Sequence, residues 1–125
     1  MEKVTGIGGF FFPAKDPDGL ARWYRDHLGI DLVPGDYDHP PWRQQGGDTI
    51  FAPFATLSDP VKGGNRPFIL NFRVRNLDAM TAQLEASDIV VTPDPDSPYP
   101  NGKFAWLSDP EGNPIELWEP TEPRQ

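Results

Sequence analysis

The stretch FAWLSDPEGNPIELWEP, Phe104 to Pro120, sets two apolar runs on either side of a turn-forming sequence. Gly112 accepts a positive φ at no steric cost, and Asp and Asn favour tight turns. The spacing predicts a β-hairpin, with strand KFAWLSD, turn PEGN and strand PIELWEP. A single carboxylate, Glu116, stands inside the second apolar run. An earlier stretch, FATLSDP (Phe54 to Pro60), echoes the first strand. Whether that echo marks a repeat decides how the rest of the chain is read.

Working outward, FILNFRVRN alternates as a strand should. Leu70, Phe72 and Val74 line one face; Ile69, Asn71 and Arg73 line the other. GGFFFPAKD alternates in the same way, with Phe10, Phe12 and Ala14 opposite Gly9, Phe11 and Pro13. Each strand is followed by a helix signal. Asp16 caps PDGLARWYRDHLG, with Pro17 at the first helical position and Gly29 just past the end. Asn76 caps LDAMTAQLEAS, where Leu77, Met80 and Leu84 repeat at three and four. Short apolar strands, IDLVP (30–34) and IVVTP (89–93), come next.

The two halves therefore share a plan. Phe12, Asp16, Asp18 and Leu20 stand sixty residues before Phe72, Asn76, Asp78 and Met80. The first half's hairpin is expected as WRQQ, turn GGD, then TIFAP. Superposing Gly47 on Gly112 sets Ile50 against Ile115 and Phe51 against Glu116. In that register FATLSDP follows the first half's last strand, so its echo of FAWLSDP is out of phase and coincidental. The expected fold is α+β, two tandem βαβββ modules curving their sheets around a cleft. One domain spans 1–120, with modules at about 5–60 and 66–119 and a flexible tail at 121–125.

Composition narrows the function. Eleven basic against nineteen acidic residues, net −8, disfavour nucleic acid and anionic membranes as partners. The absence of cysteine removes disulfide and thiolate chemistry, and a cytoplasmic location is the simpler expectation. The start, MEKVTGIGGFFFPAKD, reads as neither signal peptide nor membrane span. GIGG and KGGN lack the strand-to-helix context of a phosphate loop. Ser58, Ser108 and Asp109 have no histidine at triad spacing, and turn formation explains SDP and DPEGN.

The motifs AKDPDGLARWYRDHLGIDLV (14–33) and LSDPEGNPIELWEP (107–120) resemble those of the vicinal oxygen chelate superfamily, over about Val4 to Glu119. That superfamily includes glyoxalase I, extradiol dioxygenases and bleomycin-resistance proteins. The resemblance implies paired βαβββ modules around a cleft and assembly as a homodimer. It also implies a divalent metal held by side chains from the first and last strands of each module. Carried over by position, those four places fall on Gly9, Phe51, Ile69 and Glu116. Only Glu116 has a donor side chain.

The reading that follows is of a protein without metal or other cofactor that binds a small aromatic or amphipathic molecule. Phe11, Trp42, Arg43, Phe51, Ile69, Asn71, Arg73, Trp106, Glu116 and Trp118 are the candidate ligand-binding residues. Gly9 would leave room where the metal normally sits. Glu116 is either a polar anchor and candidate general base, or the partner of Arg73 or Arg43 across the cleft. One alternative is a metal-dependent lyase, isomerase or dioxygenase-like enzyme using Glu116 and His39. Another is a protein-interaction module with a vestigial cleft. His27 reads as a helix-end residue, Phe10, Phe12 and Tyr24 as core. The loop TPDPDSPYPNG (92–102) reads as a rim bearing Tyr99.

Overall fold

The computed structural model describes residues 1–55 and 66–122. Its elements are α1 (Pro17–Leu28), β1 (Leu70–Arg73), α2 (Leu77–Glu85), β2 (Thr92–Pro93), β3 (Gly102–Ser108) and β4 (Pro114–Pro120). The strands form one curved, open sheet in the order β1-β4-β3-β2. β1 runs parallel to β4, while β3 is antiparallel to both β4 and β2. A strand, a crossover helix and three antiparallel strands in this order make up the second βαβββ module.

The hairpin forms in the predicted register, with Ser108 opposite Pro114 and Trp106 opposite Glu116. Gly112 takes the positive φ (83°) that the turn demands. Asp109 then ties the turn together, accepting from the backbone N–H groups of Glu111 and Asn113 and from the Asn113 amide.

Both helices begin where their caps predict. Asp16 accepts from Gly19 N and Asn76 from Ala79 N, each satisfying a donor that a helix start leaves without a partner. Gly29 ends α1 in the left-handed conformation, at φ 74°. A carboxylate from β4 also supports α2, since Glu119 accepts from Leu77 N at 2.8 Å.

The period-two alternation divides the sheet's faces. Leu70, Phe72, Ala105, Leu107, Ile115 and Leu117 share the helix-facing side with buried Leu84 and with Leu20 and Tyr24 of α1. Ile115, Leu117 and Leu84 have no exposure at all. The opposite side carries Asn71, Arg73, Phe104, Trp106, Glu116 and Trp118.

The first half differs from its sequence-based expectation. Among the described residues, GGFFFPAKD, IDLVP, WRQQ and TIFAP form no ladder, and α1 is the first half's one regular element. A strand exists only through a hydrogen-bonded neighbour, and Pro13, Pro34, Pro40, Pro41 and Pro53 each remove a ladder donor. In the second half, IVVTP pairs only at Thr92 and Pro93, although Val91 is buried. FATLSDP from Thr56 onward, with Ser58, and KGGN lie outside the described residues.

Side chains hold the first half instead. Phe10 and Phe12 pack on Phe68 at ring-centroid distances of 5.3 and 6.1 Å, and Phe12 meets the edge of Tyr24. Phe12 and Tyr24 reach the core as predicted, whereas Phe10 stays half exposed. The Tyr24 hydroxyl donates to the buried carboxylate of Asp109 at 2.6 Å. Burial, then that bond and the Asp109 charge, push the Tyr24 phenol above its ordinary range. Glu111 of the same turn accepts from Lys15 N and Asp16 N, so DPEGN grips both ends of the entry into α1.

Candidate functional site

Three adjacent strands set Asn71, Glu116 and Trp106 directly opposite one another across the sheet. Side chains in such a row stand close enough to touch. The Asn71 amide donates to Glu116 Oε1 and the Trp106 indole to Oε2, both at 2.7 Å. Each carboxylate oxygen therefore has a fixed N–H donor, and the group is held rigidly on the face away from the helices.

Beside this row lies an aromatic one. Phe104 and Trp118 are directly opposed, with rings 3° from parallel and centroids 6.2 Å apart. The Trp118 indole donates to Asn101 O at 2.9 Å, which fastens it to the 94–101 loop. Tyr99 meets the edge of Phe104 at 5.7 Å, and its hydroxyl donates to the buried Asp94 at 2.9 Å. That bond leads in raising the Tyr99 phenol above its ordinary value, followed by burial and the charges of Asp94, Asp96 and Glu116. The proline-rich loop is thus a folded rim at one end of the face. Gly102 closes it at φ 137°, where a Cβ would overlap the Glu119 carbonyl oxygen.

The predicted site residues separate into two groups. Asn71, Arg73, Trp106, Glu116 and Trp118 share the face, and half-buried Ile69 just precedes β1 with the same parity. Phe11, Trp42, Arg43 and Phe51 sit on exposed first-half segments, Phe11 at 95% and Phe51 at 85% exposure. The expected void at Gly9 is not open, because the Phe11 ring lies 3.2 Å from where a Cβ at Gly9 would be. Phe104, Asp94 and Asn101 belong to the site but were not among the predicted residues. The parity of Phe104 with Trp106 was the available signal.

The contacts decide between the readings left open for Glu116 and His39. Glu116 bonds to Asn71 and Trp106, not to Arg73 or Arg43. Arg73 turns instead to the carbonyls of Gln45 and Asp48. His39 is also engaged elsewhere, its Nδ1 lying 2.8 Å from Asp36 Oδ1 in an exposed turn. That contact leads in holding the Asp36 carboxyl below its usual range. His27 packs on Trp23 at the end of α1.

The metal that the resemblance implies finds no fitting donor set. The side chains at Gly9, Phe51 and Ile69 carry no metal-donor atoms, which leaves Glu116 alone of the four positions. Among the described residues no three His, Asp or Glu side chains converge. A groove of about 460 Å³ lies at the sheet's outer edge, between Trp23, Val90, Thr92, Trp106 and Ser108. It takes in one side of Trp106 but none of Asn71, Glu116 or Trp118. The convergent polar groups lie on the Glu116 row instead.

Comparison with known proteins agrees with this architecture. A family model described as a glyoxalase-like domain matches residues 9–118. TnmS3, an antibiotic binding protein from Streptomyces sp. CB03234, is 25% identical with a TM-score of 0.64, over 97% of this chain and all of that one. A glyoxalase/bleomycin resistance protein from the same organism is 26% identical with a TM-score of 0.54, over 86% and 94% of the chains. A lactoylglutathione lyase from Agrobacterium tumefaciens, 19% identical over 94% and 96% with a TM-score of 0.59, shares the fold. No curated protein sequence matches the chain.

Proposed function

Because the chain belongs to the glyoxalase-like family of the glyoxalase/bleomycin resistance/dioxygenase superfamily, we propose that it binds a small aromatic or amphipathic molecule without a metal. The observation that carries this reading is Glu116, clamped by an amide and an indole beside the stacked Phe104 and Trp118. A single carboxylate, with no set of three His, Asp or Glu side chains converging there among the described residues, is a weak cation site. Each oxygen retains lone-pair capacity for a ligand N–H or O–H. Half-buried Phe104 supplies apolar area for a flat molecule, while Trp106 and Trp118 are themselves buried and hold the carboxylate and the rim in place. Similarity to TnmS3 along its full length supports antibiotics as a ligand class to screen first.

The working form is a homodimer. Phe11, Ile50, Phe51 and Phe54 are each exposed on a single copy, and a second copy would cover them and complete the cleft.

A thermal-shift screen of metabolites and aromatic antibiotics tests the reading, run with and without chelator. Stabilisation by one chemical class, unchanged by the chelator, is the expected result. Stoichiometric Zn, Ni, Fe or Mn in protein purified without chelator, lost in Glu116→Ala, would favour the lyase or isomerase instead. No shift with any compound, together with a protein recovered by pull-down, would favour an interaction module.

A further inference from the structure

Arg73 lies at the end of β1, opposite Trp118, on the Glu116 face of the sheet. Its Nη1 donates to Asp48 O at 2.6 Å and to Thr49 Oγ1 at 3.4 Å; its Nη2 donates to Gln45 O at 2.7 Å. The backbone of Gly47 runs against the guanidinium, and a Cβ there would lie 2.9 Å from Nε and 3.2 Å from Cζ. Among the described residues, the other hydrogen bonds made by 31–55 are local ones, within Asp36–His39. We propose that Arg73 is a positioning residue, a latch that pins 45–49, and with it the wall bearing Trp42, Arg43 and Phe51, to the edge of β1.

The chemistry suits a latch better than a ligand anchor. Residues 45–49 are exposed and have no ladder partner, so the guanidinium takes the place of water at two of their carbonyls. A guanidinium presents donors in a rigid planar fork, and two of its nitrogens reach carbonyls three residues apart. A lysine ammonium offers three donors from one point and spans that pair poorly. Gly47 is the complementary half of the device, because a Cβ there would require the guanidinium to shift from its present seat. The consequence for ligand binding rests on the function proposed above; the latch itself does not.

Backbone ¹⁵N relaxation reads the latch directly. In the wild type, residues 44–50 are expected to be ordered like the sheet, with order parameters near 0.8, whereas loosened segments fall below about 0.6. Arg73→Gln, Arg73→Lys and Gly47→Ala should each lower the order of 44–50 and leave β3 and β4 unchanged. They should also speed tryptic cleavage after Arg43 by about tenfold. Millimolar guanidinium should restore order to Arg73→Ala, a rescue that a general loss of stability would not show. Arg75→Gln, an exposed charge match two residues on, should leave both readouts at wild type.

Wild-type order in 44–50 in both Arg73→Gln and Gly47→Ala would overturn the proposal. So would ligand binding lost in Arg73→Gln with the wall still ordered, which would make Arg73 a direct anchor. If no compound binds the wild type, the proposed function fails while the relaxation result still decides the latch.

Discussion

The two halves of this molecule share a sequence plan but hold their shape by different means. The second half is tied by backbone pairing, seven residue pairs between β3 and β4 and four between β1 and β4. The described part of the first half hangs on side chains. Tyr24 bonds to Asp109, Glu111 caps the entry to α1, and Arg73 grips 45–49. A ladder distributes its stabilisation over many small, cooperative bonds, whereas a few side-chain ties concentrate it. The hairpin that carries Glu116 is therefore a rigid platform, and the first-half segment tied beside it depends on single residues.

The largest expected effect lies in the platform. Leu117→Ala or Ile115→Ala removes a fully buried side chain and should cost about 2–5 kcal/mol in denaturant unfolding. Next comes the joint between the halves. Tyr24→Phe leaves the buried Asp109 one donor short and should cost about 1–3 kcal/mol near neutral pH. The pH dependence has a definite sign. Because the folded phenol titrates above its ordinary value of 10.0, its stabilisation is complete below that pH and is lost as pH rises beyond it. Wild-type stability should fall through the alkaline range more steeply than that of Tyr24→Phe, measured by urea melts from pH 8 to 11.

Exposed first-half residues define the small end. Phe11→Ser and Phe51→Ser should change unfolding free energy by no more than about 0.5 kcal/mol. Sedimentation should nevertheless show weaker self-association if these rings meet a second copy. Unchanged sedimentation would confine them to the ligand side of the cleft, or to no interface. Smallest of all is Asp36→Asn, in an exposed turn. Its folded carboxyl titrates low, so any stability it adds is present above the ordinary carboxylate range and fades as pH falls. The change should be too small to see in a thermal melt at pH 7.

What could be read from sequence follows the same divide. Caps, the DPEGN turn and period-two alternation are local signals, and they placed both helices, the hairpin and the shared face of Asn71, Glu116 and Trp118. Strands in the first half failed as predictions because alternation records which side would be buried, not whether a neighbour supplies the ladder. Of the two readings left open for Glu116, the arginine pair fails for a related reason. Charge complementarity pointed to Arg73, but register put Asn71 and Trp106 directly beside the carboxylate. Arg73 contacts backbone carbonyls, which carry no residue-specific signal. The role of Tyr24 was half visible: its aromatic ring predicted core packing, and nothing near it in sequence pointed to Asp109, 85 residues away.

Calorimetric titration of a compound found by the screen, with wild type and Glu116→Ala in chelator, tests the central claim most directly. The account predicts wild-type binding that chelator leaves intact, weakened about 10- to 100-fold in Glu116→Ala by loss of a charged hydrogen-bond acceptor. Binding that chelator abolishes and added metal restores, or an affinity unchanged in Glu116→Ala, would contradict it.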